Sequence, residues 1–424
     1  MEISADGEMR RGPVGQSALP TTSGVIHAGN LEAQVASARQ QVERQPQSPS
    51  ARLALAGSLY TRAMLRSNLD EIQAAVDVMD EALRLQPEGA AHWLLRAKLN
   101  QSLHRFELAK RDLRQGQKLG LPADQVAAVE RELDWVEGRY ETAIPEIRLA
   151  AEKNRNFSSV ARLAQLEHDL GNRSRARSLF AEAERRVVDT NPIPVAWLDV
   201  QRGIQAVESG DLELGITFFR SAVERLPSYL LAREHLAEAL NLSGRKAEAV
   251  TLYEAIVAES NDPEFMGALA AIYREQGRVP EADQLKSKAT ARYEVLLQRY
   301  PEAMYWHASE FFLDEGGKPS RSVELLRNNL ALRPNASSYV ALAKALFEDG
   351  QLEAATEAID HALKTPLVSA QMFWTAARIH ARKGSAMLSK RHAEKAVQCS
   401  AVVETIEGGI GPDADEEIGS SAVL

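Results

Sequence analysis

The chain has 424 residues, 45% of them hydrophobic and 26% charged, with a formal net charge of -9. That balance excludes a global positive field of the kind that gathers nucleic acid or anionic lipid. A single cysteine, Cys399, excludes an intrachain disulfide framework.

The apolar share leans on Ala and Leu rather than on Val, Ile and aromatics, which favours helix over strand. No run approaches the ~18 apolar residues a membrane helix needs, so no membrane insertion is expected. The first residues lack the apolar core of a secretory signal. The chain therefore reads as cytoplasmic, or as periplasmic or secreted if a signal was lost upstream of Met1. Residues 1–29 are rich in Gly, Pro and Ser without period and read as a disordered segment. The stretch LEAQVASARQQVERQP (31–46) is predicted to be a capping helix.

From there the chain repeats itself. Glycines at 138, 171, 210, 244, 277, 317, 350 and 384 are separated by 33, 39, 34, 33, 40, 33 and 34 residues. A period in this range predicts an array of helix-turn-helix units. Residues 262–285 show why. Met266, Leu269, Ala270 and Tyr273 fall at i, i+3, i+4 and i+7, one face of a helix. Gly277 follows where a helix ends in the left-handed conformation. Pro280 sits early in the next helix, where a missing N–H costs nothing. Ala282, Leu285 and Ala289 carry the apolar face onward, and the alanines let the two axes approach to about 8 Å.

These residues resemble the tetratricopeptide repeat, a pair of antiparallel helices. The unit from Pro263 places Leu269, Ala270, Tyr273, Gly277, Ala282 and Ala289 at the family's positions. The unit from Ala336 does so with Tyr339, Leu342, Ala343, Gly350, Ala355 and Ala362. Units from Phe157, Ala196 and Leu230 match comparably. Units from Ala90 (with His104 in place of the hinge glycine), Asp124, about Pro301 and Ala370 match more loosely. One around Ser50 fits if RSNLDEIQ (66–73) is a lengthened turn. The resemblance implies an all-α fold, a right-handed superhelical solenoid of about ten repeats over residues 50–400.

Two departures divide it. VVDTNPIP (187–194) carries two prolines and suggests a joint between an N-terminal array, 30–188, and a C-terminal array, 189–402. A second helix over 280–300 is longer than its counterparts and is expected to protrude, as an edge or a self-association surface. Residues 403–424, acidic and Gly-containing, read as a disordered tail.

Catalytic and cofactor motifs are missing. No HExxH, phosphate-binding loop, GxSxG or CxxC pattern occurs. The expectation is a protein without catalysis, cofactor or metal. The cluster Glu234, His235 and Glu238 is where hidden chemistry would sit.

What remains is surface. The resemblance implies that the first helix of each unit lines a concave groove. Carried onto this sequence, the groove contains Arg162, His168, Trp197, Glu234, His235, Glu238 and Arg274. Further along it contains Tyr305, Trp306, Phe312, Lys344, Trp374, Arg378 and Arg382. Glu234 and Glu238 would favour a basic segment, and Arg378 with Arg382 a carboxylate. The sequence thus predicts a scaffold that holds an extended peptide or helix of another protein. The alternative is a structural adaptor that assembles through the long helix 280–300.

Overall fold

The computed structural model describes Ser17 and residues 19–403. The expected acidic tail, apart from Val403, and most of the expected N-terminal segment lie outside them. Every regular element among the described residues is an α-helix, 21 in all. Helix α1 (Gly24–Arg44) precedes ten helix pairs. The first five pairs are α2 (Pro49–Arg66) with α3 (Leu69–Leu85), α4 (Ala90–Ser102) with α5 (Phe106–Lys118), α6 (Ala123–Val136) with α7 (Tyr140–Lys153), α8 (Phe157–Asp169) with α9 (Arg173–Glu184), and α10 (Pro192–Glu208) with α11 (Leu212–Arg225). The second five are α12 (Leu230–Leu242) with α13 (Lys246–Ser260), α14 (Pro263–Glu275) with α15 (Val279–Arg299), α16 (Pro301–Leu313) with α17 (Pro319–Leu332), α18 (Ala336–Glu348) with α19 (Leu352–Leu363), and α20 (Ala370–Arg382) with α21 (Ala386–Cys399).

Local chemistry sets the boundaries. Asn156, Asn335 and Ser369 cap their helices by accepting from the N–H three residues on. Pro49, Pro192, Pro263, Pro301 and Pro319 stand at helix starts. The predicted hinge glycines all take positive φ, between +61° at Gly317 and +86° at Gly210. His104 adopts the same left-handed conformation, φ +56°, without being glycine. The alanines at the crossings have no exposed surface, as at Ala270, Ala282, Ala343 and Ala355.

Three expectations change. Helix α1 begins at Gly24, so residues 24–29 are helical rather than disordered. Arg225 explains part of that order: its guanidinium donates to the carbonyls of Leu19 (3.0 Å) and Ser17 (2.8 Å) and to the Thr21 hydroxyl (2.9 Å). The turn near 66–73 is short, with Ser67 in the left-handed region at φ +49°, and the extra residues extend α2 instead. Packing also runs on across the prolines at 192 and 194. Trp197 meets Phe157 edge-on at 6.1 Å, and Gln165 donates to Gln201 at 2.7 Å.

The array winds tightly enough for successive turns to touch. Asn335 Nδ2 donates to the Val136 carbonyl (2.8 Å) across 199 residues, and the Ala336 N–H donates to the Tyr140 hydroxyl (2.9 Å) across 196. His104 Nδ1 meets the Glu302 carbonyl at 3.2 Å, 198 residues away. The Val368 N–H donates to the Asp169 carbonyl at 2.8 Å. These offsets equal about six units of the 33-residue repeat. The hinge of one unit therefore seats the first helix of the unit six later. At Gly138 this adds a second demand on glycine, because a Cβ there would lie 2.4 Å from the Pro334 carbonyl oxygen.

The long helix α15 serves the same seam and does not protrude freely. Leu296, Tyr300 and Met304 at its end and just beyond join a buried cluster with Leu55, Ile72 and Met79 from the first pair. Arg299 pairs with Asp70 at 2.9 Å.

Candidate concave binding site

Helices α8, α10 and α12, each the first of its pair, present one face to the inside of the superhelix. Two adjoining cavities open there. One, of about 400 Å³, lies between these helices and the starts of α18 and α20 on the next turn. The other, of about 290 Å³, reaches toward α6. They share His168, Asp169, Ile204 and Glu208.

Of the candidates, Arg162 and His168 line the smaller cavity, and His168, His235 and Glu238 line the larger. Arg162 bonds Glu132 at 2.8 Å and lies over the Trp135 ring at 4.7 Å. His168 pairs with Glu208 through Nε2. Burial pushes the Asp169 carboxyl up to about 6. Trp197 is half-buried against Phe157.

Around α12 the ionisable groups converge. His235 stacks on Phe219 (ring centroids 5.4 Å, 21° between planes), which fixes its imidazole. Its Nδ1 lies 3.3 Å from Glu234 Oε2 and 3.5 Å from Glu238 Oε2. Burial pushes the Glu234 carboxyl up. Burial works against protonation of His235, but the carboxylates of Glu238 and Glu234 outweigh it and raise the ring. A second such pair follows on the next units, with His307 Nδ1 at 3.1 Å from Glu264 Oε2.

The remaining candidates separate. Phe312 and Trp374 are core side chains, 0% and 1% exposed, so neither can anchor a ligand as expected. Phe312 packs in a cluster with Tyr293 and Phe311, and Trp374 with Ala396 and Val403. Tyr305 and Trp306 are half-buried, the latter beneath the Arg333 guanidinium at 5.7 Å. Lys344, on α18, is half-buried near the Glu310 and Asp314 carboxyls. Arg274 is engaged by Glu315 (3.0 Å) and Asp283 (3.1 Å). Arg378 bonds Glu348 at 3.0 Å, and both Arg378 and Arg382 lie over Phe347. The carboxylate-gripping pair is thus already partnered by its own array.

Asp169 and Glu208 were not among the candidates, yet each is the thirteenth residue of its unit, a position the repeat pattern turns inward. Leu367, Val368, Ser400 and Val403 complete the larger cavity from the next turn. No local sequence signal marks them.

Two family models, each described as a tetratricopeptide repeat, match residues 200–264 and 56–88. No curated protein matches the chain. Among solved structures, the chain is similar to yeast Tom70 (14% identity, 94% of this chain and 96% of that one, TM-score 0.36). It is also similar to the TPR domain of P58(IPK) (14% identity, 88% and 95%, TM-score 0.29). A human IFIT1 dimer with PPP-AAAA aligns at 12% identity over 88% and 80%, TM-score 0.39. Superpositions this loose carry over no site and no ligand. No helix among the described residues is long and apolar enough to cross a membrane.

Proposed function

Because the chain is a tetratricopeptide-repeat protein, built as an all-α repeat solenoid of a kind that generally serves as a protein-protein interaction scaffold, we propose that it holds a segment of a partner protein on its concave face, without catalysis. The observation that supports this reading is the pair of adjoining cavities between α8, α10 and α12 and the next turn. Their walls mix apolar side chains such as Ile204, Val207 and Phe219 with the polar ends of Gln201, His168 and Glu208. Recognition sites for extended or helical peptides combine apolar burial with a few placed polar groups in this way. The adaptor alternative is less favoured, because the end of α15 is spent on the chain's own first pair.

The test is site-specific photo-cross-linking on the full chain. A photoreactive residue replaces Gln201 on the inner face or Thr251 on α13, and cross-linked proteins are identified. Partners captured from position 201 and lost in His168→Ala support the reading. Capture from position 251 alone would move the function to the outer surface.

A further inference from the structure

Glu234, His235 and Glu238 on α12, two of which border the larger cavity, have a use beyond holding a partner segment. We propose that these three side chains form a binding site for a divalent transition-metal ion, Zn²⁺ being the one whose donor preferences they fit. One imidazole nitrogen and two carboxylates lie within 4.8 Å of one another. His235 Nδ1 faces both carboxylates, at 3.3 Å and 3.5 Å.

Those separations are long for charge-assisted hydrogen bonds, which close to about 2.8 Å. They also fit the edge of a tetrahedron. Ligands bound at about 2.0–2.1 Å from Zn²⁺ stand about 3.3–3.4 Å apart. The helix supplies the spacing, since Glu234 and Glu238 are one turn apart on a single face and His235 Nδ1 lies between them.

Two further contacts support this geometry. The ring is held by stacking on Phe219, so Nδ1 is aimed before anything binds. The Tyr253 hydroxyl neighbours the Glu234 carboxyl, placed to act as the outer contact that orients a metal-bound carboxylate. His235 and Glu238 also border the 400 Å³ cavity, which gives an ion its path and leaves room for water at the open position. In the free site burial favours a proton on Glu234 and the carboxylates favour one on His235; a divalent cation would displace both, leaving two carboxylates and a neutral imidazole to balance its charge.

The test uses the full chain, dialysed against chelator and titrated with Zn²⁺ by calorimetry and with Co²⁺ by visible absorption. Binding of Co²⁺ should give the intense ligand-field bands of a four-coordinate N/O site. His235→Ala and Glu238→Gln should abolish one equivalent of metal while the helical signal stays. Tyr253→Phe, which touches no metal, should weaken binding about tenfold or more. The half-buried pair His380 and His392, stacked at 5.4 Å, is the internal control. If His392→Ala removes the equivalent and His235→Ala does not, the site is elsewhere and the proposal fails. It fails equally if wild type takes up no Zn²⁺ that resists gel filtration. A His235→Ala protein that has lost its helical signal is replaced by Glu234→Gln with Glu238→Gln, which keep shape and remove charge, and unchanged binding there overturns the assignment.

Discussion

The Tyr300 hydroxyl donates a 2.6 Å hydrogen bond to Oδ1 of Asp70 across 230 residues of chain. Asp70 lies at the start of α3, and Tyr300 joins α15 to α16. The contact is one of several through which one superhelical turn rests on the next. Repeat arrays owe their stability to neighbouring units; this one adds contacts six or seven units apart. Tyr300→Phe removes the bond while keeping the ring in its apolar cluster, at a cost of about 1 kcal/mol. Hydrogen exchange should quicken at the end of α15 and the start of α3. Unchanged protection at both places would mean the seam is held without it.

Gly138 and Gly277 separate the demands of the hinge from those of the seam. Both have positive φ, +71° and +76°. An added Cβ meets nothing within 4 Å at Gly277, but meets the Pro334 carbonyl oxygen at 2.4 Å at Gly138. Gly277→Ala should cost about 1 kcal/mol for the left-handed backbone. Gly138→Ala should cost clearly more and should also loosen α18 from α7. Urea midpoints and small-angle scattering check the pair; equal losses would deny the seam its role.

Trp374 and Phe312 are predicted to fail as ligand contacts and to matter as packing. With 1% and 0% of their surfaces exposed, truncation to Ala should cost about 3–5 kcal/mol each. The half-buried Trp306 should cost distinctly less. Denaturant unfolding followed by far-ultraviolet dichroism ranks the three variants. A small loss at Trp374 would place its ring outside the core.

Asp199 gives the pH dependence. It is 0% exposed, accepts from Ser221 at 2.8 Å, and burial raises its carboxyl from 3.8 to about 7, with Ser221, Arg202 and Arg225 acting the other way. In the unfolded chain the group ionises near its ordinary value, while in the fold it keeps its proton. Its contribution is therefore intact below about pH 4, declines as pH rises through 7, and levels off above. Asp199→Asn removes that decline. The variant's advantage in denaturant midpoint over wild type should grow between pH 5 and pH 8; a constant difference would contradict the raised value.

Much of this protein is written locally. The period near 33 residues, the hinge glycines, the crossing alanines and the proline starts each act within one unit, where 3.6-residue periodicity and backbone sterics suffice. The ten helix pairs follow from them, and the resemblance to the tetratricopeptide repeat implied the inward positions of Arg162, His168 and His235. The winding does not. Small rotations between units add up over six repeats, and only their sum sets Val136 against Asn335 and Asp169 against Val368. The same sum turned the end of α15 into a seam contact, closed the 400 Å³ cavity with Val368 and Ser400, and buried Trp374. Sequence alone determined the repeating unit and which face of it looks inward, because those depend on neighbours in the chain. Tertiary structure decided what that face looks at, because the partner across the lumen is some 200 residues away.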